Sequence, residues 1–488
     1  MSDNTRYIIG VDIGTSSAKS IVLRMNGEPG PSVQLACVTR HPERGYSEQS
    51  APEILDAVKR GIREVVAGMD GPPAAISFSS AMHSIMAVDG EGAPLTPLII
   101  WADNRSEPYA RALRDTPRGL LIYRQTGTPV HAMSPLSKLM WMREQQPGIF
   151  AAAAMFPGIK EYILHHFTGH YLTDHSTASA TGLFDIHALR WNADALEAAG
   201  VGATRLPVPV PADYVIRELK PGIARELGIP ATTPIVIGGS DGCLAQLGSN
   251  ALDEGHATLT IGTSGAVRMA GSRPLTDSQQ RLFTYLLTDH TYITGGATNN
   301  GGVVLQWLVR DFLQRPLSDI DGLVKEALNI APERLICLPY LLGERAPIWD
   351  SNATAAFIGI QPRHVAAHFT RAVLEGICFA LLSIRNALGE TAGPVKKISV
   401  SGGFTNAPGW IQLLADIFGQ TMYLRHTADA SAMGAIYLAA DTLRLEIRAG
   451  RGGELQAAFE PDPEKYAGYQ EKYQLFLQLQ QQLLAISH

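Results

Sequence analysis

The N-terminal stretch alternates short apolar runs with small polar turns. Tyr7–Asp12 is apolar and β-rich, Gly14-Thr15-Ser16-Ser17 is a turn, and Ser20–Met25 is a second apolar run. Asn26-Gly27 is a hairpin-type turn, and Ser32–Thr39 has the composition of a third strand. Pro52 opens a helix whose apolar residues Ile54, Leu55, Val58, Ile62 and Val65 recur at helical spacing. Ala74–Ser79 returns as a short buried strand. Three strands, a helix and a strand predict an α/β domain that begins antiparallel, unlike the strict alternation of a dinucleotide-binding fold.

The same pattern recurs in the second half. Val11–Ser17 reads V-D-I-G-T-S-S and Leu259–Gly265 reads L-T-I-G-T-S-G, each between β-rich segments. A small-residue turn repeated after a strand predicts two copies of one domain, although so short a motif also arises by coincidence. The chain has 488 residues, and a single core rarely grows past about 250–300 residues, so at least two domains are expected. The strand Pro230–Gly239 runs into Gly238-Gly239-Ser240-Asp241-Gly242, and Ala257–Ile261 begins the second meander. The boundary is therefore expected near Ser249–Glu254, dividing the chain into 1–250 and 251–488. From Pro463, the spacing of Tyr466, Tyr469, Tyr473 and Phe476 predicts a C-terminal packing helix.

Charge narrows the class. Forty Lys plus Arg against 46 Asp plus Glu give a formal net charge of -6, which argues against a nucleic-acid binder, because phosphate backbones reward a basic surface. Cys37, Cys243, Cys337 and Cys378 are scattered with no C-x-x-C pair, so reduced thiols and a cytoplasmic protein are expected rather than a zinc site or a disulfide framework. No basic and apolar leader opens the sequence, and no run of about 18 apolar residues suggests a membrane span.

Four segments carry chemistry. In Asp12-Ile13-Gly14-Thr15-Ser16-Ser17-Ala18-Lys19, the tight turn can aim amides and hydroxyls at phosphate oxygens, and a strand-end aspartate can hold Mg²⁺ through water. Lys19 adds a charge that faces either phosphate or solvent. There is no G-x-x-x-x-G-K-[ST] motif, so a P-loop does not bind the nucleotide. Asp241, flanked by small residues, is open to a ligand and suits a base that takes the proton of an attacking hydroxyl; a turn aspartate satisfied by local amides is the competing reading. Gly402-Gly403 with Asn406, and the glycine pairs 295–296 and 301–302 before Gln306, leave backbone exposed for a flat ligand such as adenine. Met82-His83, Trp101 to Arg105 with Asp103, and Lys160-Glu161-Tyr162 combine apolar platforms with hydrogen-bonding groups, as polyol recognition requires.

In order and spacing these segments resemble the FGGY family of carbohydrate kinases, from Tyr7 to about Leu445. Asp12–Lys19 is similar to the family's first phosphate motif and Gly262-Thr263-Ser264 to its second. Met133–Trp141, M-S-P-L-S-K-L-M-W, and Ala355–Glu375 are similar to its two signatures, and Gly402, Gly403 and Asn406 to its adenosine motif. The resemblance implies two actin- and hexokinase-like (ribonuclease H-like) ATPase domains around a cleft, with the sugar and the catalytic base on the first and nucleotide on the second. It implies ATP and Mg²⁺ as cofactors, Asp241 as base and Asp12 as the metal-associated carboxylate. Gly14, Thr15, Ser16, Ser17, Lys19, Gly262, Thr263, Gly302, Gln306, Gly402, Gly403 and Asn406 would bind ATP. Met82, His83, Trp101, Asp103, Arg105, Lys160, Glu161 and Asp241 would bind substrate.

Ser80–Ser84, Trp101–Ser106, Lys160–Tyr162, Ser240–Ala245 and Ile348-Trp349-Asp350 are similar to the family's gluconate-phosphorylating branch, which implies a sugar-acid substrate and 6-phosphogluconate as product. Such a pocket must hold a carboxylate, and the sequence leaves open whether His83, Arg105 or Lys160 does so. Competing readings are a kinase for xylulose, ribulose or glycerol, and a non-catalytic actin-like protein, which would need none of the Met82-His83 and Trp101–Arg105 clusters. The expected partners are a small sugar acid and ATP, with no nucleic acid or membrane and with a homodimer left open.

Overall fold

The computed structural model describes residues 6–331, 333–425, 429–448 and 450–486. Its framework is two sheets of matching topology. In the first half, Tyr7–Ile13 pairs antiparallel with Ser17–Arg24, which pairs antiparallel with the edge strand Pro29–Ala36. On its other side Tyr7–Ile13 pairs parallel with Ala75–Ser80, then come Ile235–Ser240 (parallel) and Val215–Ile216 (antiparallel). In the second half, His256–Ile261 pairs antiparallel with Gly265–Gly271 and parallel with Lys397–Ser401. Thr291–Thr298 extends the antiparallel side, and Met422–Arg425 and Leu455–Phe459 extend the other. The short I-G-T-S echo therefore marks a duplicated topology.

The equivalence reaches individual residues. Asp12 lies opposite Ser79 and accepts its hydroxyl at 2.6 Å. Thr260 lies opposite Ser401, with their hydroxyls 2.9 Å apart. Each echo turn is closed by its glycine amide, from Gly14 to the Ser17 carbonyl at 3.0 Å and from Gly262 to that of Ser264 at 2.8 Å.

The second strand begins at Ser17, three residues before its apolar run, because the tight turn starts the ladder at once. The third runs Pro29–Ala36 and tolerates Pro29 and Pro31 because it is an edge strand. Helix Ala51–Ala67 buries Ile54, Leu55, Val58, Ile62 and Val65, as its spacing predicts. Helix Pro463–Ile486 likewise buries Tyr469, Tyr473 and Phe476, while Tyr466 stays 38% exposed. One helix among the described residues, Ala366–Ala392, is long and apolar enough to cross a membrane, yet 83% of its most apolar window is buried inside the fold. It is a core helix, and its Arg371 and Glu375 pair at 2.7 Å within the interior.

Two close approaches connect the halves. Helix Asp241–Gly248 leaves the first sheet and crosses helix Ala430–Thr442 of the second half. A Cβ on Gly434 would lie 2.0 Å from the Leu244 carbonyl oxygen, and one on Gly248 would lie 1.9 Å from that of Ala430. Only glycine permits so close a crossing. The same helix reaches the first sheet, where a Cβ on Gly10 would lie 2.5 Å from the Ala432 carbonyl oxygen.

Candidate active site

Asp241 is placed by a break in strand register. Ile235–Ser240 slips against Ala75–Ser80 between Val236 and Gly239. Gly238 there has φ 78°, and a Cβ would lie 1.8 Å from the Phe78 carbonyl oxygen. The bulge turns the chain out of the sheet, so Asp241 opens the next helix at the cleft. One carboxylate oxygen accepts the Gly242 amide at 2.6 Å, as a turn aspartate would, but the residue also lines a cleft of about 260 Å³. Burial pushes its carboxyl above the usual range, opposed first by the Arg268 guanidinium. Asp12 stands close enough that burial and the Asp241 charge raise it to about 6.

Two loops form the opposite wall. His83 is buried, with φ 69°, and its Nδ1 lies 2.7 Å from the Ala180 carbonyl oxygen. That oxygen can only accept, so Nδ1 carries the proton and Nε2 keeps a lone pair. Burial and the Lys138 ammonium hold His83 down to about 3, so it is neutral at working pH. Met82 and Trp101 also border the cleft, and the Trp101 indole N–H donates to the Thr15 hydroxyl at 2.8 Å. Both loops hang on Lys138, from the signature Met133–Trp141. Its buried ammonium donates to the carbonyls of His83 at 2.7 Å and Ile100 at 2.8 Å.

Several residues expected at the substrate lie elsewhere. Asp103 is fully buried, accepts the Ser47 amide at 2.6 Å and pairs with Arg105 at 2.7 Å. Arg105 also pairs with Glu48 at 2.6 Å and lies 3.7 Å over the Tyr46 ring. Asp103 and Arg105 thus brace the Trp101 loop and do not border the cleft. Lys160 is buried in an ion pair with Asp174 and donates to the Gly239 carbonyl at 3.1 Å, supporting the bulge from behind. Glu161 accepts the Thr173 hydroxyl at 2.6 Å and lines a separate small cavity. Neither Arg105 nor Lys160 is free for a carboxylate. Lys19 is also committed, to Asp429 of the second half at 2.5 Å, so its charge is answered away from the turn. Ser17 accepts the Gln34 amide at 2.9 Å, Gly14 and Ser16 form the turn backbone, and only Thr15 of that turn borders the cleft.

A second chamber, of about 380 Å³, opens on the far side of the Gly262 turn. It gathers Gly262, Thr263, Gly302, Gln306, Gly403 and Asn406, six of the residues expected at ATP. Gly402 stands at its edge with φ 104°, where a Cβ would lie 2.4 Å from the Ile261 carbonyl oxygen. Gly262 borders both chambers, so one turn separates and joins them.

Two cations that border the first chamber, Arg268 and Arg345, are not among the residues that the sequence reading places at the site. Arg345 lies in Gly343-Glu344-Arg345-Ala346-Pro347; its guanidinium donates to the Thr298 carbonyl at 3.1 Å and lies 4.8 Å over the Trp101 ring. Arg268 sits on a strand, and only pleat direction shows that it faces inward. Cys243 is 1% exposed, and burial raises its thiol to about 11, so it is a buried small residue.

Residues 7–248 match the model of the FGGY family of carbohydrate kinases, N-terminal domain, and residues 257–442 match its C-terminal domain. The chain is 38% identical to a gluconokinase of Bacillus subtilis (strain 168), covering 89% of this chain and 87% of that protein. It is 30% identical to a xylulose kinase of Staphylococcus epidermidis (strain ATCC 12228 / FDA PCI 1200), covering 96% and 95%. The crystal structure of gluconate kinase from Lactobacillus acidophilus superposes with TM-score 0.92 at 33% identity, covering 98% of both chains. The ligand-bound xylulose kinase of the same organism also gives 0.92 at 33% identity, covering 98% and 99%. Two domain matches that span most of the chain, in one order and around one cleft, place it in the FGGY family of carbohydrate kinases.

Proposed function

We propose that this chain transfers the γ-phosphoryl group of ATP to the primary C6 hydroxyl of D-gluconate, giving 6-phospho-D-gluconate and ADP. The observation that carries the reading is the shared Gly262 turn: a chamber holding a half-buried carboxylate and two arginines meets a glycine-lined chamber at one backbone segment. Gluconate is favoured over xylulose because the gluconokinase is the more similar relative in sequence, the two folds being equally close. The residues up to about 250 would then hold the sugar and the base, and those after it the nucleotide. A cytoplasmic setting suits ATP use and four unpaired thiols.

The mechanism follows from the groups in place. Asp241 accepts the proton of the C6 hydroxyl as that oxygen forms its bond to phosphorus and the bond to the leaving ADP oxygen breaks. His83 offers a lone pair to a substrate hydroxyl, and Trp101 gives an apolar platform. Thr15 and the backbone of the Gly262-Thr263 turn approach the phosphates from opposite domains. The donor set fits Mg²⁺: Asp12 and Asp241 are neighbouring carboxylates, Lys19 is engaged by Asp429, and this ion needs few protein ligands. When bound, Mg²⁺ neutralises charge on the transferring phosphates. Asp12 would hold it, while Ser79 fixes the carboxylate's orientation.

The test is ADP release with ATP and Mg²⁺ against D-gluconate, D-xylulose, L-ribulose and glycerol. At least a tenfold preference in kcat/KM for gluconate, about 1.4 kcal/mol, is expected. A preference for xylulose would favour the second reading, a ketose kinase, which the equal TM-scores keep in view.

A further inference from the structure

Most cations around the sugar chamber have protein partners. Lys138 is held by loop carbonyls, Lys160 by Asp174, Arg105 by Asp103 and Glu48, and Lys19 by Asp429. Arg345 is anchored by the Thr298 carbonyl and the Trp101 ring. Arg268 differs. Among the described residues its side chain makes no hydrogen bond or ion pair, and its Nε, like that of Arg345, is buried without a partner.

Its direction is fixed by the strand. Ala266 and Arg268 are two residues apart on Gly265–Gly271 and both border the chamber, as a pleat requires. The strand leads away from the Gly262-Thr263 turn, so Arg268 is rooted about 7 Å farther along than Ala266. Gly242 makes room for the guanidinium, because a Cβ there would lie 3.0 Å from the Arg268 Nε and 3.2 Å from its Cζ. Arg268 thus acts on Asp241 through space while remaining unpaired.

We propose that Arg268 is a specificity-determining residue that pairs with the C1 carboxylate of the substrate, which defines the substrate class as six-carbon aldonates. The inference rests on the gluconate reading above and adds the group that recognises the acid. A planar guanidinium offers a carboxylate two parallel hydrogen bonds, and a neutral ketose leaves that fork unanswered. A ketose therefore binds against the cost of an unsatisfied buried donor.

The experiment compares wild type, Arg268→Met and Arg268→Lys on D-gluconate and D-xylulose, with ADP-induced thermal stabilisation as the check on folding. In Arg268→Met the ratio of kcat/KM for gluconate over xylulose should fall about 100-fold, chiefly through the gluconate KM. Arg268→Lys should recover it to within about tenfold, since a point charge replaces part of the fork. An unchanged ratio overturns the assignment even if both rates drop, because a structural or base-polarising arginine would act on both sugars alike. If Arg268→Met shows no response to ADP, Arg268→Gln is measured against the same criterion. Wild type that fails to phosphorylate gluconate overturns the underlying reading instead, and does so before any variant is compared.

Discussion

At the residue scale, the chemistry concentrates in Asp12 and Asp241. Burial raises both carboxyls, and the Asp241 charge adds to the rise of Asp12, which reaches about 6. Asp12 must be charged to hold Mg²⁺, so kcat/KM should fall as pH drops through the region near 6, where that carboxylate takes up its proton. His83, held at about 3, adds no step there. Asp241→Asn should lower kcat at least about 100-fold while leaving ADP binding within a few-fold, measured by calorimetry. Turnover unchanged by that substitution would refute the base role. Asp12 and Asp241 were legible in the sequence because each ends a β-rich run beside glycine, a local pattern. Asp103, Arg105 and Lys160 misled because sequence shows charge but not pairing: Asp103 and Arg105 answer each other within one loop, and the fold adds Glu48 to Arg105 and Asp174 to Lys160.

At the element scale, loops and bulges aim these side chains. The signature helix Pro135–Gln145 contributes Lys138, which ties the His83 and Ile100 carbonyls from beneath. Removing it strands those carbonyls, at about 1–3 kcal/mol for each acceptor left buried and unpaired. Lys138→Met should therefore lower the thermal midpoint and raise the sugar KM at least about tenfold, with the KM for ATP little changed. A variant that loses stability but keeps its sugar KM would show that the two loops hold themselves. The strands and the helix Ala51–Ala67 were readable from periodicity. The bulge at Gly238 was not, because it depends on the Phe78 carbonyl of a neighbouring strand.

At the scale of the whole molecule, two copies of one topology meet through crossing helices as well as across the cleft. The crossing depends on Gly434 and Gly248. Gly434→Ala must part the helices, at about 1–3 kcal/mol or more, and should lower the thermal midpoint by several degrees. Gly468 is also helical, but a Cβ there meets nothing within 4 Å. Gly468→Ala should be neutral or stabilising by up to about 1 kcal/mol. Equal midpoints for the two variants, in thermal unfolding of the full chain, would refute tight packing at the crossing.

The sequence by itself determined the α/β class, the duplication, the two I-G-T-S turns and the place of Asp12 and Asp241 at strand ends, because each is written in residues adjacent along the chain. It also carried the family resemblance, since motif order survives where overall identity is modest. Only the tertiary structure decided which charges are free. Lys19, Arg105 and Lys160 are paired with Asp429, Glu48 and Asp174, none of them a neighbour along the chain, whereas the side chain of Arg268, unremarkable on its strand, is turned inward and left without a partner. Pairing and pleat direction are properties of neighbours in space, so the cation that faces the sugar emerges only when the two sheets are built around one cleft.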